Sequence, residues 1–271
     1  MWDARNITSI FNVKDSSHVI LKNIVFANGN GINGSAVNVD SSFTVEIINC
    51  TFINNAAADF GGAIFIAAEN PVESSKITDS NFVNNKVHNG GAVYLHSDKV
   101  TIKGSTFSAN FAFNDGAGIY VAGNYCNLDN STFTDNIAGD DGSAVYWEGN
   151  LEIISAISCL GNRGISEIDP KDHVRSSSKG GTICLRGSNV TISKSNFSDS
   201  NCGYEGGAIH VDGAGTVVYN SEFSCCTAVN YGGALSIWGS NTKIVNNTFN
   251  QSKTTKFNGG AVFVNGEIQQ F

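Results

Sequence analysis

The chain has 271 residues, a net charge of −8 and only 15% charged residues, with 30 Gly, 34 Asn and 2 Pro. This composition excludes a charge-rich disordered tail, which couples low hydrophobicity to high net charge, and the acidic balance argues against a nucleic-acid partner. No apolar run approaches the roughly 18 to 20 residues of a membrane helix, so no membrane insertion is expected of this segment, and the scarcity of strong helix formers points to a turn-dense β protein.

Taken in chain order, the same short unit recurs. Phe11 and Val13 open a first copy, which aligns with Val37 and Val39 on a shift of 26. A small-small-small-branched motif then reads Gly34-Ser35-Ala36-Val37, Gly61-Gly62-Ala63-Ile64, Gly90-Gly91-Ala92-Val93, Gly116-Ala117-Gly118-Ile119 and Gly142-Ser143-Ala144-Val145. It continues at Gly180, Gly206, Gly232 and Gly259, and the steps between first positions are 27, 29, 26, 26, 38, 26, 26 and 27 residues. A Phe-x-x-Asn motif runs in phase at Phe52, Phe82, Phe107 and Phe133, with weaker copies assigned to Phe26, Ile157, Phe197, Phe223 and Phe249.

Apolar residues alternate within each unit, as in Ile64/Ile66, Val93/Leu95 and Ile119/Val121, and again in Val45/Ile47, Val100/Ile102 and Cys126/Leu128. Period two is the strand signature. Three short strands in about 26 residues cannot form a globular unit alone, but stacked they bury their inward residues against neighbouring copies. The expected fold is all-β: a single-stranded parallel β-helix of about ten coils of roughly 26 residues, about 45 Å long at the usual strand spacing. The whole chain, 1–271, reads as one such domain, interrupted by a loop insertion over 163–179. Glycines serve the coil corners. The asparagines Asn55, Asn85, Asn110, Asn136, Asn162 and Asn201 are expected in left-handed turns, as a ladder that satisfies buried amides.

The phased GGA(I/L/V) and Phe-x-x-Asn pairs resemble the polymorphic outer membrane protein repeats of chlamydial surface autotransporters, which also occur in surface proteins of some parasitic protists. The resemblance covers nearly all of the chain. It implies a right-handed parallel β-helix passenger used in adhesion, at the cell surface or outside the cell, with a cell-surface protein or a glycan as partner. Met1-Trp2-Asp3-Ala4-Arg5 leads into a repeat rather than an apolar signal region, no membrane barrel follows the last repeat, and neither end shows a cap. The expectation is a segment of a longer chain.

Three places are candidates for function. The outward column of the first strand holds Phe65, Tyr94, Tyr120 and Tyr146; exposed aromatics can bind sugars or protein side chains, or merely support the sheet. The corner before the glycines holds Asp115, Asp140, Asp141, Lys179 and Glu205. Stacked carboxylates there could hold Ca²⁺ or act as acid and base on a polysaccharide, although no His or Arg is seen in register; the plainer reading is a solvated turn. The long repeat gathers Asp169, Asp172, His173 and Arg175 in a charge-poor chain, and long loops on rigid scaffolds often carry function. No catalytic residue and no metal ligand is assigned; a lyase or hydrolase on extracellular polysaccharide and a purely structural stalk are the competing readings. Seven cysteines leave at least one thiol unpaired, and Cys202, Cys225 and Cys226 could pair near one turn.

Overall fold

The computed structural model describes residues 1–14, 18–40, 44–67, 74–165 and 178–270. Among these residues there is no helix, and every strand pairing is parallel. The chain winds through about nine turns of a β-solenoid. Each full turn contributes one strand to each of four sheets; three sheets have ten strands and the fourth has nine. Among the described residues no helix is long and apolar enough to cross a membrane.

One coil shows why these residues fold this way. Val93–Leu95 lies in the first sheet, with Val93 and Leu95 buried inward and Tyr94 facing out. Thr101–Lys103 forms the second sheet around inward Ile102. Thr106–Ser108 forms the third around Phe107, and Phe111–Ala112 forms the fourth, with Ala112 inside. The sequence predicts three strands per coil; the fourth is only two residues long, too short for an alternation to register. Along the first sheet positions couple without slip, as in Ile64↔Val93↔Ile119↔Val145, because a one-residue slip would turn the apolar side outward.

The phenylalanine column is a face-to-face stack. Phe26, Phe52, Phe82, Phe107 and Phe133 lie 4.6–5.0 Å apart with nearly parallel rings, and Phe197, Phe223 and Phe249 continue it. The residue between the two runs is Cys159, in register with Phe133 and Phe197, not Ile157 as the motif spacing suggested. Ile157 instead occupies the column of small residues, where its N–H donates to Ser195 Oγ at 3.3 Å. The coil has exchanged a large residue at one position for a small one, and a small for a large at the other.

Two polar ladders close the corners beside that stack. The N–H and Nδ2 of Asn55 both donate to Oδ1 of Asn85, and the pattern repeats from Asn85 to Asn110, Asn136 and Asn162. Each Nδ2 also donates to a phenylalanine carbonyl of the preceding coil, as Asn110 does to Phe82 at 3.1 Å. Buried amides are thereby satisfied without water. The next rung is buried Ser200, whereas Asn201 is exposed on the fourth sheet, which corrects its place in the ladder. The left-handed residue is also not the ladder Asn but the one before it: Asn54, Asn84, Ala109 and Asp135 have φ of 53–55°. Serines form the second ladder, with the N–H groups of Ser80 and Ser105 donating to Ser105 Oγ and Ser131 Oγ at 3.2 Å.

At the opposite corner Gly116 has φ +63°, and a side chain there would press on the carbonyl of Ile119. Only glycine takes that conformation at no steric cost. The residue just before this glycine is therefore held in a fixed place on every coil, and the functional candidates of the corner stand at that position.

Candidate functional site: the outer face of the first sheet

Three outward columns run along the first sheet. The corner column carries Asp115, Asp141, Lys179 and Glu205, with parallel bridges from Lys179 to Glu205 and from Glu205 to Tyr231. The central column carries Phe65, Tyr94, Tyr120, Tyr146, Cys184 and His210 in strand register. Two residues further on come Glu148, Arg186, Asp212 and Trp238.

The aromatic column is a continuous external stack. Ring centroids are 5.6 Å apart for Phe65–Tyr94 and 4.7 Å for both Tyr94–Tyr120 and Tyr120–Tyr146. Phe60, which the motif reading passed over because it stands on the corner column, packs on Tyr94 at 4.7 Å. The rings turn their faces toward one another, so edges and hydroxyls are what remain for a partner. Phe65, Tyr94 and Tyr120 are half-buried and Tyr146 is buried. Burial, with Glu148 nearby, raises the Tyr120 phenol, which stays protonated as a hydrogen-bond donor.

The acid corner is tied together by residues that the spacing did not reveal. Asp141 accepts from the Lys179 N–H at 2.6 Å through Oδ1, and from Arg186 Nη2 at 2.7 Å through Oδ2. Arg186 Nη1 also donates to Asp212 Oδ2. The other Asp212 oxygen meets His210 Nε2 at 2.9 Å. The structure thus places an Arg and a His in register with the corner, contrary to the sequence expectation, because both sit on outward columns of the neighbouring strand rather than in the corner itself. A carboxylate only accepts, so neutral His210 carries its proton on Nε2. Burial, reinforced by Lys179 and Arg186, holds the imidazole well below its ordinary pKa. Its Nδ1 faces Glu205 Oε2 at 3.6 Å, and neither atom has a hydrogen-bond partner; burial raises the Glu205 carboxyl.

Asp115 accepts from the Asp141 N–H at 2.9 Å. Burial and then its acidic neighbours push Asp115 up to about 7, and burial with Asp141 pushes Asp140 up to about 6. Each of Asp115, Asp140 and Asp141 brings one oxygen within 4.8 Å of the others, a spacing that a hard cation can bridge. Both Asp141 oxygens are already engaged, however, and the Arg186 guanidinium supplies positive charge at the same place. Lys179 contributes its backbone N–H to the corner, and its side-chain charge acts on Asp140, Glu205 and His210.

The described residues on either side of the long insertion keep their places in the coils. Arg163–Gly164 still pairs in the fourth sheet with Ile137–Ala138 and Asn201–Cys202, and the coil resumes at Ser178. Asp169, Asp172, His173 and Arg175 lie outside the described residues. None of the seven cysteines is paired, and six are buried. Cys202 and Cys226 point inward from different columns while Cys225 faces out, which is why the three do not bond to one another.

Parallel coils carrying two phased motifs define a β-solenoid repeat protein. Within it, residues 49–67 match the family model of the Chlamydia polymorphic membrane protein repeat, and the parallel solenoid is consistent with a repeat of that type. The matched stretch spans one Phe-x-x-Asn and GGAI pair, from Asn49 to Ala67. No curated protein and no solved structure matches the chain.

Proposed function

We propose that this chain is a surface-exposed, passenger-like β-solenoid that acts without catalysis. It makes contact with a cell-surface protein or glycan through the outer face of the first sheet. The observation that carries this reading is the unbroken column from Phe65 to Tyr146, half-buried as far as Tyr120 and closed by buried Tyr146 beside the acid corner. Ring edges and phenol hydroxyls suit hydroxyl-rich or peptide partners. The match to a polymorphic membrane protein repeat supports a location at the cell surface.

Non-catalytic action is supported by the commitments of the polar groups. Asp141 is saturated by Arg186, the Lys179 amide and Cys184, and His210 is fully buried beneath the face. In this reading Arg186 balances the corner charge in place of a metal ion. A polysaccharide-cleaving activity is the second reading. It draws on the convergence of Asp115 and Asp140, both partly protonated near neutral pH, as a general acid requires.

The test is a cell-binding and glycan-array measurement with Tyr94→Phe, Tyr120→Phe and Tyr146→Phe combined, since this variant keeps the stack and removes only the hydroxyls. Loss of binding at unchanged melting temperature is expected. Unchanged binding overturns the reading, and reducing-end release from a polysaccharide panel that is abolished by Asp115→Asn favours the second.

A further inference from the structure

A cleft of about 460 Å³ opens at the other end of the same sheet face, lined by Thr8, Ser9, Asn12, Asn30, Asn33 and Asn38. Its size falls within the range of small-molecule sites, about 300–1,000 Å³. The lining carries no ionisable side chain; it offers four amides and two hydroxyls. Ile7 and Ile32, both largely exposed, form an apolar rim.

The folding pattern explains why the cleft is there. Asn12 and Asn38 occupy the central outward column, in register with one another and with Phe65 on the next coil. Asn33 stands on the corner column, in register with Phe60. From Phe65 to Tyr146, aromatic rings fill this face. Short amides hold the same columns in the first two coils, and the volume that the rings would occupy is left open.

The amides are not all satisfied. Asn12 Nδ2 donates to Ser9 Oγ at 3.2 Å, and Asn30 Nδ2 donates to the Asn6 carbonyl. The Oδ1 atoms of Asn33 and Asn38, by contrast, are buried with no hydrogen-bond partner. A buried carbonyl without a donor costs free energy, and the terminal torsion of an asparagine is soft. A ligand hydroxyl in the cleft gives the turned amide the partner it lacks. A hydroxyl both donates and accepts, so it pairs with either end of each amide, which a bare cation cannot do.

We infer that this cleft binds a neutral saccharide unit: amides take its hydroxyls, and the isoleucine rim takes its apolar C–H face. The site is separate from the tyrosine and acid face, and its failure would leave the reading of that face standing.

The experiment is saturation-transfer NMR with calorimetric titration, using the methyl glycosides of glucose, galactose, mannose and N-acetylglucosamine. Inorganic phosphate and calcium chloride are the charged probes. At least one glycoside is expected to bind. Asn33→Leu and Asn38→Leu should each weaken it by about tenfold or more, and Asn12→Ala, at a more exposed position of the lining, should weaken it less. Melting temperatures report on folding, and Asn12→Ala carries the test if the leucine variants unfold. Absence of binding for every glycoside, binding that none of the asparagine substitutions alters, or saturable binding of phosphate or calcium at these residues instead, would overturn the assignment.

Discussion

Arg186 donates to Asp141 at 2.7 Å across the coil boundary that carries the long insertion, and its other terminal nitrogen serves Asp212 on the following coil. One side chain thus ties three successive coils together on the outside of the sheet. The backbone ladder alone would join them only in pairs.

Removing that tie leaves Asp141 buried without its counter-charge. Arg186→Ala should destabilise the protein by about 3 kcal/mol, the lower end of what breaking a buried pair costs, because the guanidinium is partly exposed. Arg186→Lys keeps the charge but cannot form the fork to two carboxylates and should fall between. Urea unfolding midpoints of the three proteins give the order.

The asparagine ladder predicts a sharp contrast between two residues of the same type. Asn110→Ala strips the acceptor from both donors of Asn85 and the donor from the Phe82 carbonyl. The cost should be about 3 kcal/mol, given roughly 1–3 for each buried group left unpaired. Asn201 is exposed, and Asn201→Ala should stay within about 0.5 kcal/mol of the parent. Equal effects would refute the register in which Ser200, not Asn201, is the rung.

Glu152 stands inside the solenoid, where neighbouring coils place Cys126 and Val190. Neither carboxyl oxygen has a hydrogen-bond partner, and burial pushes the group from 4.5 up to about 8. The folded state therefore keeps a proton that the unfolded chain releases. That contribution to stability is fully present below about pH 4.5 and declines until about pH 8. Asp115 and Asp140, raised to about 7 and about 6, act with the same sign. Glu152→Gln should remove the decline nearest pH 8 and stabilise the protein at pH 8.5 by on the order of 3 kcal/mol. Melting temperatures from pH 4 to 9 check both the slope and its loss.

Ile157 and Cys159 make a compensating pair. Cys159→Phe alone adds a ring where Ile157 already fills the coil and should cost about 1–3 kcal/mol through overpacking. Ile157→Ser alone opens a cavity and should cost about 2–4 kcal/mol. The double variant restores an unbroken stack and serine ladder and should be more stable than either single. A double-mutant cycle with additive energies would show that the two positions are independent.

Cys225 is exposed while the other six thiols are buried. Maleimide under native conditions should add one label per chain, at Cys225, and seven after denaturation, as read by intact mass. Rapid labelling at further sites in the native state would contradict the burial of Cys184 and Cys202.

The columns that repeat by residue type were open to reading from the sequence. Paired glycines and phenylalanines mark their coils because backbone conformation and core volume leave few alternatives. Positions defined by register alone were harder. The fourth sheet was hidden because two residues cannot display an alternation, and Ile157 was placed one column away because its apolar character matched a phenylalanine better than Cys159 did. The link from Asp141 through Arg186 and Asp212 to His210 was missed because its members belong to different columns. Reading the residue two places beyond each central outward position, which gives Glu148, Arg186 and Asp212, would have exposed it. Glu152 was overlooked for the opposite reason: a column of Val, Cys and Thr gives no warning that one rung is an acid.

Every strand pairing among the described residues joins one coil to the next, so the backbone bonds lie along the length of the rod. Pulled from its two ends, such a body does not shear as a block. The outermost coil bears the load first and peels away, and its release gives roughly 90 Å of extended chain in place of about 4.8 Å of rise. Under such tension the molecule would behave as a spool that lengthens, with the Arg186 clamp adding resistance in the middle, where it joins three coils.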